Sequence, residues 1–116
     1  VPNFDGEHAT FLHYGRILRN EAGDVAGIVE WKDASESERH IREVNTSYYA
    51  FDAKWLRAHI GKLSRDNAAR EYYLTDVVRM ANEHGERVVT FAIQDIREAL
   101  GINDPEQLER VERYCR

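Results

Sequence analysis

Apolar positions along the chain change period several times, and the changes predict alternating elements. Arg16-Ile17-Leu18-Arg19 and Val25-Ala26-Gly27-Ile28-Val29-Glu30 flank Asn20-Glu21-Ala22-Gly23-Asp24, which predicts a β-hairpin. Ser35 with Glu38 spells a capping box and predicts a short helix to about Arg42. Val44 to Phe51 and Arg87 to Ile93 are rich in β-branched and aromatic residues and predict two further strands. Asp52 caps a helix whose apolar stripe is Leu56, Ile60 and Leu63. A second helix spans about Tyr72 to Glu83, with Tyr73, Leu74, Val77, Val78 and Ala81 on one face, and Gly85 closes it. Asp95 to Leu100 reads as a short helix stopped by Gly101. The last helix carries Asp104 at N-cap and Pro105 at N1, with Gln107 reaching back and Leu108, Val111 and Tyr114 or Cys115 facing inward. The opening ten residues read as an extended or loose lead-in. Together these predict an α/β fold, a mixed sheet with flanking helices, over residues 1 to 116 as one domain.

Composition narrows the function classes. A chain of 116 residues with 42% hydrophobic and 32% charged residues suits a globular protein. The formal net charge of −5 argues against nucleic acid or an anionic membrane as partner. No apolar run reaches the ~20 residues of a membrane span, and no basic-then-apolar leader pattern opens the chain. The one cysteine, Cys115, has no internal partner, so a cytoplasmic setting is expected. Asn45-Thr46-Ser47 matches a glycosylation sequon, a spelling common by chance. His8, His13, His40, His59 and His84 show no i, i+3 or i, i+4 pair, so a histidine metal site is not expected. Neither GxGxxG nor GxxxxGK[ST] occurs, so a nucleotide's phosphates would need a loop from another polypeptide. The carboxylates Asp24, Glu30, Asp33, Glu43 and Asp76 fall at predicted element ends, where acids mostly serve turns and caps.

One stretch resists so plain a reading. In Asp66-Asn67-Ala68-Ala69-Arg70-Glu71-Tyr72-Tyr73-Leu74-Thr75-Asp76, two tyrosines and three acids gather where a turn meets a helix. Spacing alone allows a helix start, with Asn67 or Thr75 as cap and Tyr73 in the core, or the wall of a site.

Four further segments keep company with it in a fixed order: Tyr14-Gly15-Arg16-Ile17, Ile28-Val29-Glu30-Trp31-Lys32-Asp33-Ala34, Arg42-Glu43-Val44-Asn45-Thr46, and Gly101-Ile102-Asn103-Asp104 with Gln107-Leu108. In this order, over about residues 12 to 114, the chain resembles the sugar-binding half of the UDP-N-acetylglucosamine pyrophosphorylase domain of bifunctional uridylyltransferase/acetyltransferases. Glu71-Tyr72-Tyr73-Leu74-Thr75-Asp76 is the most specific part of the match. The resemblance implies the C-terminal half of a nucleotide-diphospho-sugar transferase-like domain. It also implies sugar contacts at Gly15, Glu30 and Asn45, and a pocket wall at Glu71, Tyr72, Tyr73 and Thr75. Asn103 matches an asparagine that shares Mg²⁺ with an aspartate of the nucleotide-binding half. Amides and carboxylates suit a polyhydroxylated ligand, and an oxygen donor suits hard Mg²⁺.

The departures matter as well. The half that resembles the Gly-rich, triphosphate-binding part is lacking, so the chain alone is expected to be catalytically incomplete, with no catalytic residue assigned. Leu12-His13 stands where Thr-Gly is usual, Ser47 where Gly is usual, and Ala69-Arg70 where Gln-Gly is usual. Side chains at such glycines narrow a pocket, and Arg70 could instead meet a phosphate. The expected partners are a sugar 1-phosphate or sugar nucleotide, weakly bound, and a second copy of the chain or the lacking N-terminal half. The alternative is a non-catalytic module that kept the fold and binds a partner protein or itself.

Overall fold

The computed structural model describes residues 4–116. Two strands, β1 (Arg16–Arg19) and β2 (Val25–Val29), pair antiparallel with Ile17 opposite Ile28 and a bulge between Leu18 and Arg19. The hairpin turn is built by Asn20. Its carbonyl accepts from Gly23 N at 2.9 Å and its side chain from Asp24 N at 2.9 Å, while Gly23 takes φ 88°. The predicted hairpin is therefore present, with Glu30 just outside it.

The helices α1 (Glu36–Arg39), α2 (Ala53–His59), α3 (Asp76–Glu83) and α4 (Pro105–Cys115) follow, with 3-10 turns at Gly6–Phe11, Ile60–Lys62 and Ile96–Ala99. The starts of α1, α2 and α4 follow the sequence signals, whereas α3 begins at Asp76, four residues after the expected Tyr72, because Leu74 and Thr75 form a turn before it. Ser35 and Glu38 form a reciprocal capping box, Asp52 accepts from Trp55 N at 2.7 Å, and Asp104 accepts from Gln107 N at 2.8 Å. Gln107 does reach back, but to Asn103 N at 2.6 Å rather than to the cap residue. Gly85, at φ 72°, ends α3.

α3 carries most of the packing. Val77, Val78 and Ala81 are buried, and Val78 joins Ile17, Val25 and Ile28 of the hairpin in one cluster. The helix comes close because Gly27 has no side chain: a Cβ there would sit 3.3 Å from Arg79 Cβ. A second cluster gathers Phe4, Phe11 and Ala99, with Leu12, Tyr14, Val44, Ile93 and Leu100 against it. Phe4 thus anchors part of the stretch expected to be loose, while residues 1–3 of that stretch lie outside the described residues.

Three expectations are corrected. First, the mixed sheet is replaced by a two-stranded antiparallel one. Val44 makes a single bridge to Arg16, flanked by Ile17 N to Glu43 O at 3.0 Å and Asn45 N to Gly15 O at 2.9 Å, and pairing stops there. Residues 87–93 form no strand. Their β-rich composition is not enough without a ladder partner, and no backbone amide in 87–94 donates to another backbone carbonyl. Second, α2 buries no residue fully, and Ile60 is 45% exposed. Third, α4 lies with Leu108, Tyr114 and Cys115 exposed and only Val111 and Gln107 half-buried.

The consequence is an open apolar cleft of about 700 Å³. Ile17, Val25, Ile28 and Val78 floor it, and residues 42–49 and 88–93 line its sides. Val89 is 69% and Phe91 83% exposed beside it. The radius of gyration, 15.3 Å, exceeds the about 13 Å of a close-packed domain of this length, in keeping with the unclosed core. Among the described residues no helix is long and apolar enough to cross a membrane.

Candidate functional site

Gly15 and Glu30 meet where the two hairpin strands have their outer ends. A Cβ on Gly15 would lie 3.1 Å from Ile28 Cγ2, 3.2 Å from Val29 O and 3.4 Å from Glu30 Oε2. Only glycine leaves the space in front of that carboxylate oxygen free. The other oxygen is engaged: Thr75 Oγ1 donates to Glu30 Oε1 at 2.8 Å.

That contact explains an anomaly in α3. Thr75 occupies the N-cap position, yet its hydroxyl makes no capping bond, and its backbone is already helical at φ −59°, ψ −26°. An N-cap threonine ordinarily satisfies a backbone amide of its own helix. Here the hydroxyl, on a residue only 7% exposed, is committed to Glu30 instead. Asn67 does not cap the helix either. Its side chain accepts from Glu71 N at 3.1 Å and donates to Glu71 O at 2.6 Å, so it brackets the backbone of Glu71.

Asn45 reaches the same corner through its backbone bond to Gly15 O at 2.9 Å. Its side chain is held at both ends: Nδ2 donates to the Tyr49 hydroxyl at 2.6 Å, and Oδ1 accepts from Ser47 N at 3.1 Å. Burial pushes the Tyr49 phenol above its ordinary range, against the bond from Asn45. Tyr73 is half-buried. Loss of water contact raises its phenol, and the charges of Asp33 and Glu30 raise it further.

The structure thus brings Gly15, Glu30, Asn45, Tyr73 and Thr75 into one corner. It does not bring all the sequence candidates there with comparable engagement. Tyr72 is 66% exposed, with the Arg65 guanidinium 5.7 Å from its ring centre, and the Glu71 side chain is exposed. Asn103 is exposed on the segment before α4, and its N and Nδ2 both donate to Gln107 Oε1, at 2.6 and 3.2 Å. Tyr14 ties that segment to Gly15's neighbourhood: its hydroxyl donates to Ala99 O at 2.7 Å and accepts from Gly101 N at 2.9 Å.

Asn103 offers one amide oxygen, and among the described residues no group of three or more His, Cys, Asp or Glu gathers to hold a metal. Hard Mg²⁺ demands six oxygen donors in near-octahedral order. Asn103 supplies one donor of that set.

Sequence reasoning missed three contributors. Asp33 bridges two loops, Tyr49 locks Asn45, and Arg16 fixes the approach to Gly15. Arg16 is wholly buried, and among the described residues it has no carboxylate partner. It donates to the carbonyls of Leu12 at 2.8 Å, Arg39 at 3.4 Å and Tyr14, between the rings of Phe4 and Trp31. Burial lowers its pKa from the usual arginine value. The position of Asp33, three residues after Glu30 at a strand end, was the available signal for the first of these.

Two backbone angles bear on the substituted glycines. Among the described residues, the non-glycine positions with positive φ are Ser47 at 65° and Arg70 at 56°. Both stand where the resemblance has glycine. The left-handed backbone is kept although the residue that favours it is gone. His13, at another such position, instead packs edge-on against Trp31 with ring centres 5.3 Å apart.

The fold and this corner together define a small α/β unit whose strand and helix ends present carboxylate, amide and phenol groups on one wall. Comparison with known proteins carries the definition further. No family model matches the chain. Over 103 residues, 89% of its length, it is 50% identical to the bifunctional protein GlmU of Brevibacillus brevis (strain 47). Over the same length it is 46% identical to the bifunctional protein GlmU of Streptococcus thermophilus (strain CNRZ 1066), and 48% to that of Pelobacter propionicus (strain DSM 2379). In each case the match covers 22% of the relative, so the chain spans about a fifth of these proteins' length.

Proposed function

We propose that the chain forms the sugar-1-phosphate-binding wall of a UDP-N-acetylglucosamine pyrophosphorylase unit, the uridylyl-transferring part of a bifunctional protein of the GlmU kind. Glu30 and Asn45 take sugar hydroxyl or amide groups, Gly15 leaves them room, and Tyr73 and Thr75 with Glu71 and Tyr72 close the side. The observation that carries the reading is the Thr75–Glu30 bond, in which a helix N-cap gives up its capping role to orient a carboxylate beside a glycine. The identity of about half the residues with GlmU proteins supports it.

The reaction of that unit joins a sugar 1-phosphate oxygen to the α-phosphorus of UTP with loss of pyrophosphate. It needs positioned cationic and amide donors on the phosphates, and Mg²⁺. These 116 residues contain no phosphate-cradling glycine loop. The chain alone therefore binds the sugar phosphate without turning it over, and Asn103 serves a metal only together with ligands from outside these residues. The setting is the cytoplasm.

Ligand-detected NMR with N-acetylglucosamine 1-phosphate tests this reading. Millimolar binding, about 4 kcal/mol, is expected, weakened by Glu30→Ala and by Asn45→Ala. A signal indifferent to both substitutions would place the pocket elsewhere. Pyrophosphate release from UTP and the sugar phosphate by the isolated chain, above background, would overturn the incompleteness.

The second reading, a module that self-associates, draws on a different observation. The apolar cleft and the exposed Val89 and Phe91 are surfaces that proteins ordinarily cover.

A further inference from the structure

Two carboxylates three residues apart hold the two ends of one loop. Glu30 accepts from Thr75, at the start of α3. Asp33 Oδ1 accepts from Ala68 N at 2.7 Å, and the charge of the same carboxylate raises the Tyr73 phenol. Between these anchors run residues 68–75, which contain all four of the candidate wall residues from Glu71 to Thr75. The turn that carries both acids is itself fixed, because Asp33 N and Ala34 N both donate to Glu30 O, at 3.0 and 2.9 Å. Ala34 is buried beneath it.

We infer that Asp33 is a positioning residue for the sugar-phosphate wall: its carboxylate clamps the loop at Ala68 from the turn after β2. The inference rests on the reading of this corner as a sugar-phosphate site and deepens it. The local backbone agrees with the clamp. Arg70, in the left-handed region at φ 56°, lies in the turn that Asp33 holds, its N donating to Asn67 O at 3.1 Å.

The test compares Asp33→Ala and Asp33→Asn with Glu30→Ala in the full chain, using three readouts. Asn keeps an oxygen for Ala68 N but carries no charge; Ala keeps neither. Amide exchange at Ala68 should quicken in Asp33→Ala and stay near wild type in Asp33→Asn. Binding of N-acetylglucosamine 1-phosphate should weaken about tenfold in Asp33→Ala, the equivalent of one hydrogen bond in the wall, and recover in Asp33→Asn. The Tyr73 ring carbon resonance, assigned through Tyr73→Phe, should titrate at lower pH in both variants, which a purely structural role of Asp33 elsewhere in the turn would not produce. If Asp33→Ala leaves binding unchanged while Glu30→Ala abolishes it, the inference is overturned and the site reading stands. If the wild type binds no sugar phosphate, the site reading falls and takes the inference with it. Unaltered Ala68 exchange and Tyr73 titration in Asp33→Ala would refute the clamp irrespective of binding.

Discussion

Replacing Arg70 by glycine should stabilise the chain, although it deletes a side chain and adds flexibility. The argument starts from φ 56° at Arg70. An L-residue held in the left-handed region costs about 1–2 kcal/mol, which glycine avoids. Against this, glycine gives the unfolded chain extra freedom worth about 0.4–1 kcal/mol. The Arg70 carbonyl that accepts from Arg65 Nε at 2.7 Å belongs to the backbone and survives the change. The net expectation is a gain of about 1 kcal/mol, or roughly 4 °C in Tm for a chain of this size. Ser47→Gly, relieving φ 65°, should gain a comparable amount, because the bond from Ser47 N to Asn45 Oδ1 is made by the backbone and survives the change. The converse change calibrates the backbone contribution. Gly85→Ala introduces a Cβ that meets nothing within 4 Å, so its cost of about 1 kcal/mol would be conformational alone. Urea unfolding with an unchanged slope, alongside calorimetry, measures all three. The decisive control is Arg70→Ala, which removes the same guanidinium without relieving φ. If Arg70→Ala stabilises as much as Arg70→Gly, the gain came from charge and the backbone argument is wrong.

The remaining expectations concern the wall, a surface ion pair and the cleft. Thr75→Val leaves the half-buried Glu30 without its donor and should cost about 1.5–3 kcal/mol in urea unfolding, whereas Thr75→Ser should stay near wild type; equal losses would show that the methyl group, not the hydroxyl, matters. Asp95 is bonded by the Arg97 guanidinium and backbone amide, which hold its carboxyl down at about 2. Its contribution is therefore complete above the ordinary aspartate range and lost as pH falls through about 2, so Asp95→Asn should flatten the acid limb of the stability profile, and carboxylate NMR showing Asp95 titrating normally would contradict the pairing. Purified alone, the 13.5 kDa chain should dimerise through the cleft, and Phe91→Lys should return it to monomer; sedimentation equilibrium giving a monomer without concentration dependence would refute this.

How far the sequence reached differs between these features, and the difference is physical. Capping is local, so Ser35, Asp52 and Asp104 could be placed from neighbours three residues away, and the structure has each accepting the expected amide. The hairpin was legible for the same reason, its turn being closed within five residues by Asn20. Strands at 44–51 and 87–93 were inferred from residue type, but a strand exists only with a partner, and the described residues supply Val44 with one bridge and residues 87–93 with none. The amphipathic faces of α2 and α4 failed likewise, since periodicity tells which side of a helix is apolar and not whether anything covers it. In the site, it was the resemblance, and not residue type or spacing, that put forward Gly15, Glu30, Asn45 and the Glu71–Thr75 stretch as a set. That Thr75 serves Glu30 rather than its own helix is a contact 45 residues apart in sequence, and no local pattern encodes it.

The two faces of the molecule consequently depend on different amounts of chain. The polar corner is held by side chains gripping backbone: Asn67 on Glu71, Asp33 on Ala68, Arg16 on the carbonyls before Gly15, and Tyr14 on Ala99 and Gly101. Each bond fixes a loop without needing a sheet, so the corner is complete within residues 12 to 101. The cleft face is built the opposite way. Its side chains are β-branched and aromatic, but the backbone amides of 87–94 have no backbone acceptors, and a buried sheet face cannot form while those amides must stay with water. A binding wall can therefore hold its shape on a chain whose core is still open. This ordering also says where damage would show. Substitutions in the clamp residues should alter ligand binding before they alter association, whereas charges at Val89 or Phe91 should do the reverse.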